Sequence, residues 1–271
     1  MPRNIGDIGV LSGAWNFRDV ADVAALRPGR FFRSSELSRL SEDGRRRLTQ
    51  LGVTDVADLR SPREVERRGP GQVPDDVVVH LLPFPDLSAV EEEAPHEKAF
   101  ERMMGEKDDD ESVAAAARRF MTEEYQRFPT LPGSRRAVQR VISLLDDERP
   151  VITHCFAGKD RTGFTVAVVL EAIGMERDAI VADYLRSNDA VPQLRLRLLE
   201  MMENRASDRV TPEAITFAEA RLTDEVLGVQ EEYLDAARQS INANYGSLAG
   251  YLDAAGVSAD DVNRLRAKLI D

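Results

Sequence analysis

The spacing of apolar and polar positions changes period along the chain, and the changes divide it into elements. Short β-branched or apolar runs at Phe31-Phe32-Arg33, Val53 to Leu59, Val77 to Leu82 and Val151-Ile152-Thr153 predict strands. Helical patterns lie between them. Ser41-Glu42-Asp43 caps one that runs to Leu51 and stops at Gly52. Residues 114–128 and 134–145 are also helical in spacing, and Val138, Val141, Ile142 and Leu145 form one stripe suited to packing on a sheet. Phe164 to Ile173 is apolar on every side, which predicts a buried helix ended by Gly174. This rhythm of strand, helix and strand predicts an α/β fold with a central parallel sheet flanked by helices on both faces.

Beyond Gly174 only helical patterns remain. Leu194, Leu198, Met201 and Met202 make one stripe, yet Leu196 and Leu199 extend apolar surface around the same helix. Thr211-Pro212-Glu213 carries the cap, the proline and the acid of a helix start. Val226, Gln230, Tyr233, Leu234, Ala237 and Ile241 trace a further helix, and Ser258 with two aspartates caps the last, which buries Val262, Leu265 and Leu269. Helices with more apolar surface than one face needs must cover something. Residues 190–228 are therefore expected to form a helical lid that moves to admit substrate, within a helical C-terminal region. Residues 87–112 hold E-E-E and E-K-D-D-D-E-S with few apolar positions, and are expected to be an acidic, mobile loop. Residues 1–271 read as a single domain.

Between the last strand and the buried helix lies His154-Cys155-Phe156-Ala157-Gly158-Lys159-Asp160-Arg161. A loop wrapped into a helix start aims successive N–H groups at one point, where the helix dipole adds roughly half a positive charge. That point suits an anion. Cys155, the sole cysteine of the chain, stands six positions before Arg161. A thiol at the base of such a cup would be held as a nucleophilic thiolate. Arg161 offers a planar fork for two oxygens of a phosphoryl group, and Gly158 lets the backbone turn where a Cβ would crowd a ligand. The loop residues Phe156, Ala157, Gly158, Lys159, Asp160 and Arg161 are thus candidates for binding phosphate, with Phe156 and Lys159 also contacting the rest of the substrate. Arg60 and Arg63 follow the strand that ends at Leu59, and ligands sit beyond the carboxyl ends of strands in open α/β sheets, so both are expected at the pocket rim. Asp86, beside Pro85 after the next strand, is a second candidate acid.

Charge narrows the partners. The formal net charge of −12 argues against nucleic acid and repels anionic substrates at long range, so attraction has to be local. One cysteine excludes an internal disulfide. The first residues lack the basic and then apolar layout of a cleaved signal.

The C-x5-R loop, with Ala14-Trp15-Asn16-Phe17-Arg18-Asp19-Val20, Phe32-Arg33-Ser34-Ser35-Glu36-Leu37, Asp58-Leu59-Arg60 and Asp183-Tyr184-Leu185-Arg186-Ser187-Asn188, closely resembles the tyrosine/serine phosphatase family in its secreted mycobacterial branch. The likeness runs from about Ala14 to Ile270. It implies a monomeric cysteine phosphatase that needs neither metal nor cofactor. The implied substrates are phosphotyrosine, then phosphoserine and phosphothreonine, and phosphoinositides at a membrane surface. It also implies export without a cleaved signal; otherwise the setting would be cytoplasmic. In keeping Lys159 the loop is similar to that of the phosphatase and tensin homolog, and in placing Asp160 before Arg161 it is similar to the myotubularins. The Trp-Pro-Asp loop of eukaryotic tyrosine phosphatases is missing, so the general acid rests between Asp160, the preferred residue, and Asp86. The alternative reading is a phosphoprotein- or phosphoinositide-binding module without catalysis.

Overall fold

A computed structural model of the chain describes residues 11–23, 25–84, 112–205 and 222–270. Five strands, β1 (Arg18–Asp19), β2 (Phe31–Ser34), β3 (Asp55–Asp58), β4 (Val78–Leu81) and β5 (Val151–His154), form one sheet in the order β1-β2-β5-β3-β4. β2, β5, β3 and β4 are parallel, as the spacing predicts, whereas β1 adds an antiparallel edge that two residues could not announce. In register, Ser34, His154 and Asp58 stand in one row. The chain therefore leaves β2, β5 and β3 at the same edge, with the Cys155 loop in the middle.

Period-2 alternation assigns the strand residues to two cores. Phe31, Ala57 and Val151 join the larger one, and their neighbours Phe32, Val56 and Ile152 join the smaller one. The larger core is covered by α3 (Val113–Arg127), α4 (Pro132–Asp146), α5 (Asp160–Ala172), α6 (Arg177–Leu185), α9 (Glu231–Tyr245), α10 (Leu248–Ala254) and α11 (Ala259–Leu269). α1 (Glu42–Leu51) covers the smaller one through Leu48. It starts with the Ser41 hydroxyl on the Gly44 amide and ends at left-handed Gly52, as expected. α2 (Pro62–Arg68) opens with a full capping box between Ser61 and Glu64. α7 (Val191–Arg205) and the single turn α8 (Asp224–Leu227) occupy the described part of segment 190–228.

β4 forms within the run 77–82 that the spacing predicts to be a strand. It lies at the sheet edge, where Val78, Val79 and Leu81 remain exposed. His80 points away from the loop edge and binds Asp55 at 2.7 Å, at the amino end of β3. The start of a helix at Thr211, Asp86 and nearly all of the acidic stretch 87–112 fall outside the described residues. Ser112 caps α3.

Candidate active site

The loop runs from Cys155 to Lys159 and enters α5 at Asp160. Its carbonyls are all taken up by the framework. The Glu36 amide donates to the Phe156 carbonyl at 2.9 Å. Asn16 Nδ2 donates to the carbonyls of Ala157 at 3.1 Å and Gly158 at 3.0 Å, and Arg33 adds a second donor to Gly158 at 2.8 Å. In a trans peptide the N–H points opposite to the C=O. Fixing three carbonyls outward therefore turns the amides of Ala157, Gly158 and Lys159 inward, toward the hollow of the loop. The Gly163 amide reaches the Lys159 carbonyl, leaving the amides of the first helical turn to face the same hollow. Gly158 makes the close approach possible. Its φ is +68°, and a Cβ there would sit 2.2 Å from the Ser34 carbonyl oxygen.

The donors behind the loop are themselves held. Asp183, from α6, binds Arg18 Nε at 2.8 Å with one oxygen and Arg33 with the other. Arg18 also donates to Asn16 Oδ1 at 2.6 Å, and both arginines reach Ser187. Burial alone would raise the Asp183 carboxyl, yet the two guanidiniums outweigh it and hold it below its ordinary range. Burial, then Arg33, pushes Arg18 down to about 10, which still leaves it charged near neutrality. Two cations share one carboxylate beneath an anion cup. This is the local attraction that a chain of net −12 needs.

Arg161 lies in the first turn of α5, and Glu64 holds it by two parallel bonds of 2.7 and 2.8 Å, with the Leu59 carbonyl accepting a third at 3.2 Å. Burial is the largest influence on this guanidinium and would lower it. Glu64, then Cys155 and Asp160, outweigh burial and drive it above its ordinary value. Its charge is therefore permanent and its plane is fixed. Cys155 is buried. His154 hydrogen-bonds through Nδ1 to the Cys155 carbonyl at 3.1 Å, while burial keeps the imidazole below its ordinary range and neutral.

Other expected residues sit less simply. Lys159 Nζ contacts Asp160 at 3.0 Å and the Gly228 carbonyl at 3.5 Å. Phe156 meets Trp15 edge-on at 6.1 Å, and the Arg68 guanidinium lies 3.9 Å over its ring. One face of the ring is thus covered by Arg68. Arg63, in α2, is half-buried. Arg60 corrects the expectation of a rim position. It is fully buried, paired with Asp58 at 2.7 Å and Glu36 at 3.2 Å, and its remaining reach goes to the Gly69 carbonyl. Asp58, two residues earlier, folds it back into the protein.

The described part of segment 190–228 lies against the loop. Val191, Leu194, Leu222 and Leu227 form a small apolar cluster with Ala157, and Phe156, Leu198 and Leu199 pack on it. Arg197 reaches Glu36 at 3.4 Å, and Arg39 meets Glu200 at 2.9 Å. The two ends of the segment are tied together, because the Asn188 amide side chain both accepts from the Val229 N–H at 2.7 Å and donates to its carbonyl at 3.0 Å.

Sequence reasoning gave no role to Glu64, Asn16, Arg33 or Asp183. For Glu64 a signal existed, the Ser61-to-Glu64 capping box, whose acid also reaches Arg161. Among the described residues no group of three or more His, Cys, Asp or Glu side chains is arranged to hold a metal ion.

Comparison with known proteins agrees with this geometry. A family model described as "Tyrosine phosphatase family" matches residues 10–271. The chain is 61% identical over 270 residues to the triple specificity protein phosphatase PtpB of Mycobacterium tuberculosis, covering 96% of this chain and 98% of that one. It is 32% identical to a Cupriavidus necator protein provisionally named a tyrosine-protein phosphatase, over 97% of this chain and 84% of that one. It is 26% identical to a tyrosine-protein phosphatase of Nostoc commune, over 91% and 76%.

Proposed function

The chain belongs to the tyrosine phosphatase family and is an enzyme that hydrolyses phosphate esters, and from that premise we propose a two-step transfer through Cys155. The Cys155 thiolate attacks phosphorus in line with the leaving oxygen. A sulfur–phosphorus bond forms as the phosphorus–oxygen bond breaks, and Asp160 gives its proton to the departing alcohol or phenol. Water then attacks phosphorus, Asp160 takes back a proton, and the electron pair of the breaking bond returns to sulfur. Arg161 and the inward amides hold the three equatorial oxygens throughout. This set supplies the charge compensation, so the reaction as proposed calls for no metal.

The observation that carries this reading is the outward fixing of the Phe156, Ala157 and Gly158 carbonyls beside an arginine locked by Glu64. Substrates are phosphotyrosine, more weakly phosphoserine and phosphothreonine, and phosphoinositides presented at a membrane surface. The breadth finds support in the name of the Mycobacterium tuberculosis relative, and lipid headgroups in the second cation, Lys159, within the loop. Phe156 and Arg63 are proposed as further substrate contacts. Residues 190–228 act as a lid. Their apolar packing on the loop, and the joining of their ends at Asn188 and Val229, support a segment that opens as a unit. The enzyme works as a monomer and is exported, which finding the protein in culture filtrate would test.

Turnover of a phosphotyrosine peptide, a phosphoserine peptide and monophosphorylated phosphoinositides, with Cys155→Ser as control, tests the proposal. Activity is expected on all three and is lost in the variant. Activity that survives in Cys155→Ser overturns it. If Asp86 rather than Asp160 is the acid, Asp86→Asn loses turnover of an alkyl phosphate selectively and Asp160→Asn does not.

A further inference from the structure

Asp160 has a buried partner that no step above uses. Tyr125, from α3, donates its phenol to Asp160 Oδ1 at 3.2 Å, and Tyr184, from α6, donates to the Tyr125 oxygen at 2.7 Å. The Lys159 ammonium lies 3.0 Å from each carboxylate oxygen and so does not tell them apart. Tyr125 does. We infer that Tyr125 is a positioning residue for the proton transfer: by occupying Oδ1 it sets the plane of the carboxyl group and leaves Oδ2 as the oxygen that carries the proton. A carboxylic acid has one oxygen that accepts and one that donates. The phenol fits the first role only at Oδ1.

The surroundings hold this relay still. Both tyrosines are buried, and burial, followed by neighbouring charge and phenol oxygens, pushes their hydroxyls well above the ordinary tyrosine range. They stay neutral donors at any working pH. The Tyr125 ring packs on Phe128, Tyr233 and Tyr184, with centroids 4.9, 5.6 and 6.2 Å away. Tyr184 in turn rests on Gly163, where a Cβ would lie 2.8 Å from its ring. Gly163 thus lets α6 come close enough to α5 for the two phenols to meet the loop acid. The relay ends on the Asp160 carboxylate, which is held by Lys159 on one side and Tyr125 on the other.

The inference rests on Asp160 being the proton donor, and the experiment separates the two. kcat/KM is measured on an alkyl phosphate and on p-nitrophenyl phosphate for wild type, Tyr125→Phe, Asp160→Asn and the double variant. Tyr125→Phe is expected to lose about tenfold on the alkyl ester and less than about twofold on the aryl ester, whose leaving group hardly needs a proton. In the Asp160→Asn background it should change nothing further. Equal losses on both esters, or losses that multiply in the double variant, overturn the inference. If Tyr125→Phe does not fold, Tyr184→Phe removes one hydroxyl without touching Asp160. It should show the same bias at about threefold, and no bias overturns the inference. Equal losses for Asp160→Asn alone would instead reject Asp160 as the acid, and the inference with it. A selective loss in Asp160→Asn beside an unbiased Tyr125→Phe rejects the positioning alone.

Discussion

Behind the Cys155 loop lie Arg18, Arg33 and Asp183, charged and buried, whereas over it lie Val191, Leu194, Leu222 and Leu227, apolar and free of directional bonds to it. In the first set Arg33 donates to the Gly158 carbonyl, and Arg18 holds Asn16, which donates to the carbonyls of Ala157 and Gly158. The second covers the loop with apolar surface and is joined to the body by Arg197 on Glu36, the Lys159 ammonium on the Gly228 carbonyl, an exposed ion pair at its edge and the Asn188 clamp at its ends. Directional bonds cannot be given up one at a time without leaving buried charge unpaired. Apolar contacts can separate together and re-form. The difference teaches which side holds shape, and it supports the proposal that the other side is the one that moves.

The largest expected effect follows from the paired charges. Asp183→Ala leaves two buried guanidiniums without their shared carboxylate and should cost about 3–5 kcal/mol of stability in urea denaturation; a cost below about 1 kcal/mol would place the network among ordinary surface pairs. Next comes Glu64→Gln. Glutamine keeps the capping box of α2 but leaves the buried Arg161 guanidinium without its carboxylate, so kcat/KM should fall about 10- to 100-fold, with a loss of stability smaller than that of Asp183→Ala. A fall in stability that accounts for the lost rate would mean Glu64 serves only the helix.

The cover should behave otherwise. If the segment moves as a lid, as proposed, Leu194→Ala costs less than about 2 kcal/mol of global stability, below the usual range for a core leucine. Hydrogen exchange within 191–205 should speed up while β5 stays protected. Joint acceleration of both would show one inseparable unit.

The smallest effect is in pH. Burial, aided by Arg60, lowers His154 against the pull of Asp58, so the unfolded chain takes up a proton below about 6.5 that the folded protein refuses. Stability is therefore full above that pH and declines as pH falls below it. Asp183 is held low by Arg33 and Arg18 against burial, so its contribution is present above about 3.9 and lost as pH falls further. Urea midpoints between pH 7 and 3 should fall in two stages, and His154→Gln should remove the first. A flat response down to about pH 4 would contradict the burial of a neutral imidazole.

What was legible in the sequence was local. Val151 to Thr153, the C-x5-R spacing and the apolar run from Phe164 each announce a strand, a cup and a helix within a few residues. The support behind the loop was not legible as chemistry, because Arg18 and Asp183 stand 165 positions apart and Arg33 and Gly158 stand 125 apart. Resemblance flagged those stretches without saying what they do. Arg60 misled for a physical reason. A strand end points toward the site, but Asp58 accepts from both the Arg60 amide and its side chain and turns it inward. A ring in a loop likewise gives no sign that Arg68 will lie over one face of Phe156. Of the two residues that extend apolar surface around α7, Leu199 packs beside the loop with Leu194 and Leu198, whereas Leu196 stays exposed.

The most direct test is to trap the enzyme in mid-turnover. A radiolabelled phosphotyrosine peptide is mixed with the protein, the reaction is quenched within its first turnover, and the labelled fragment is identified. Label on the fragment containing Cys155, and none with Cys155→Ser, is the predicted result. Continued release of phosphate with no labelled protein, or label carried by any other residue, would contradict it.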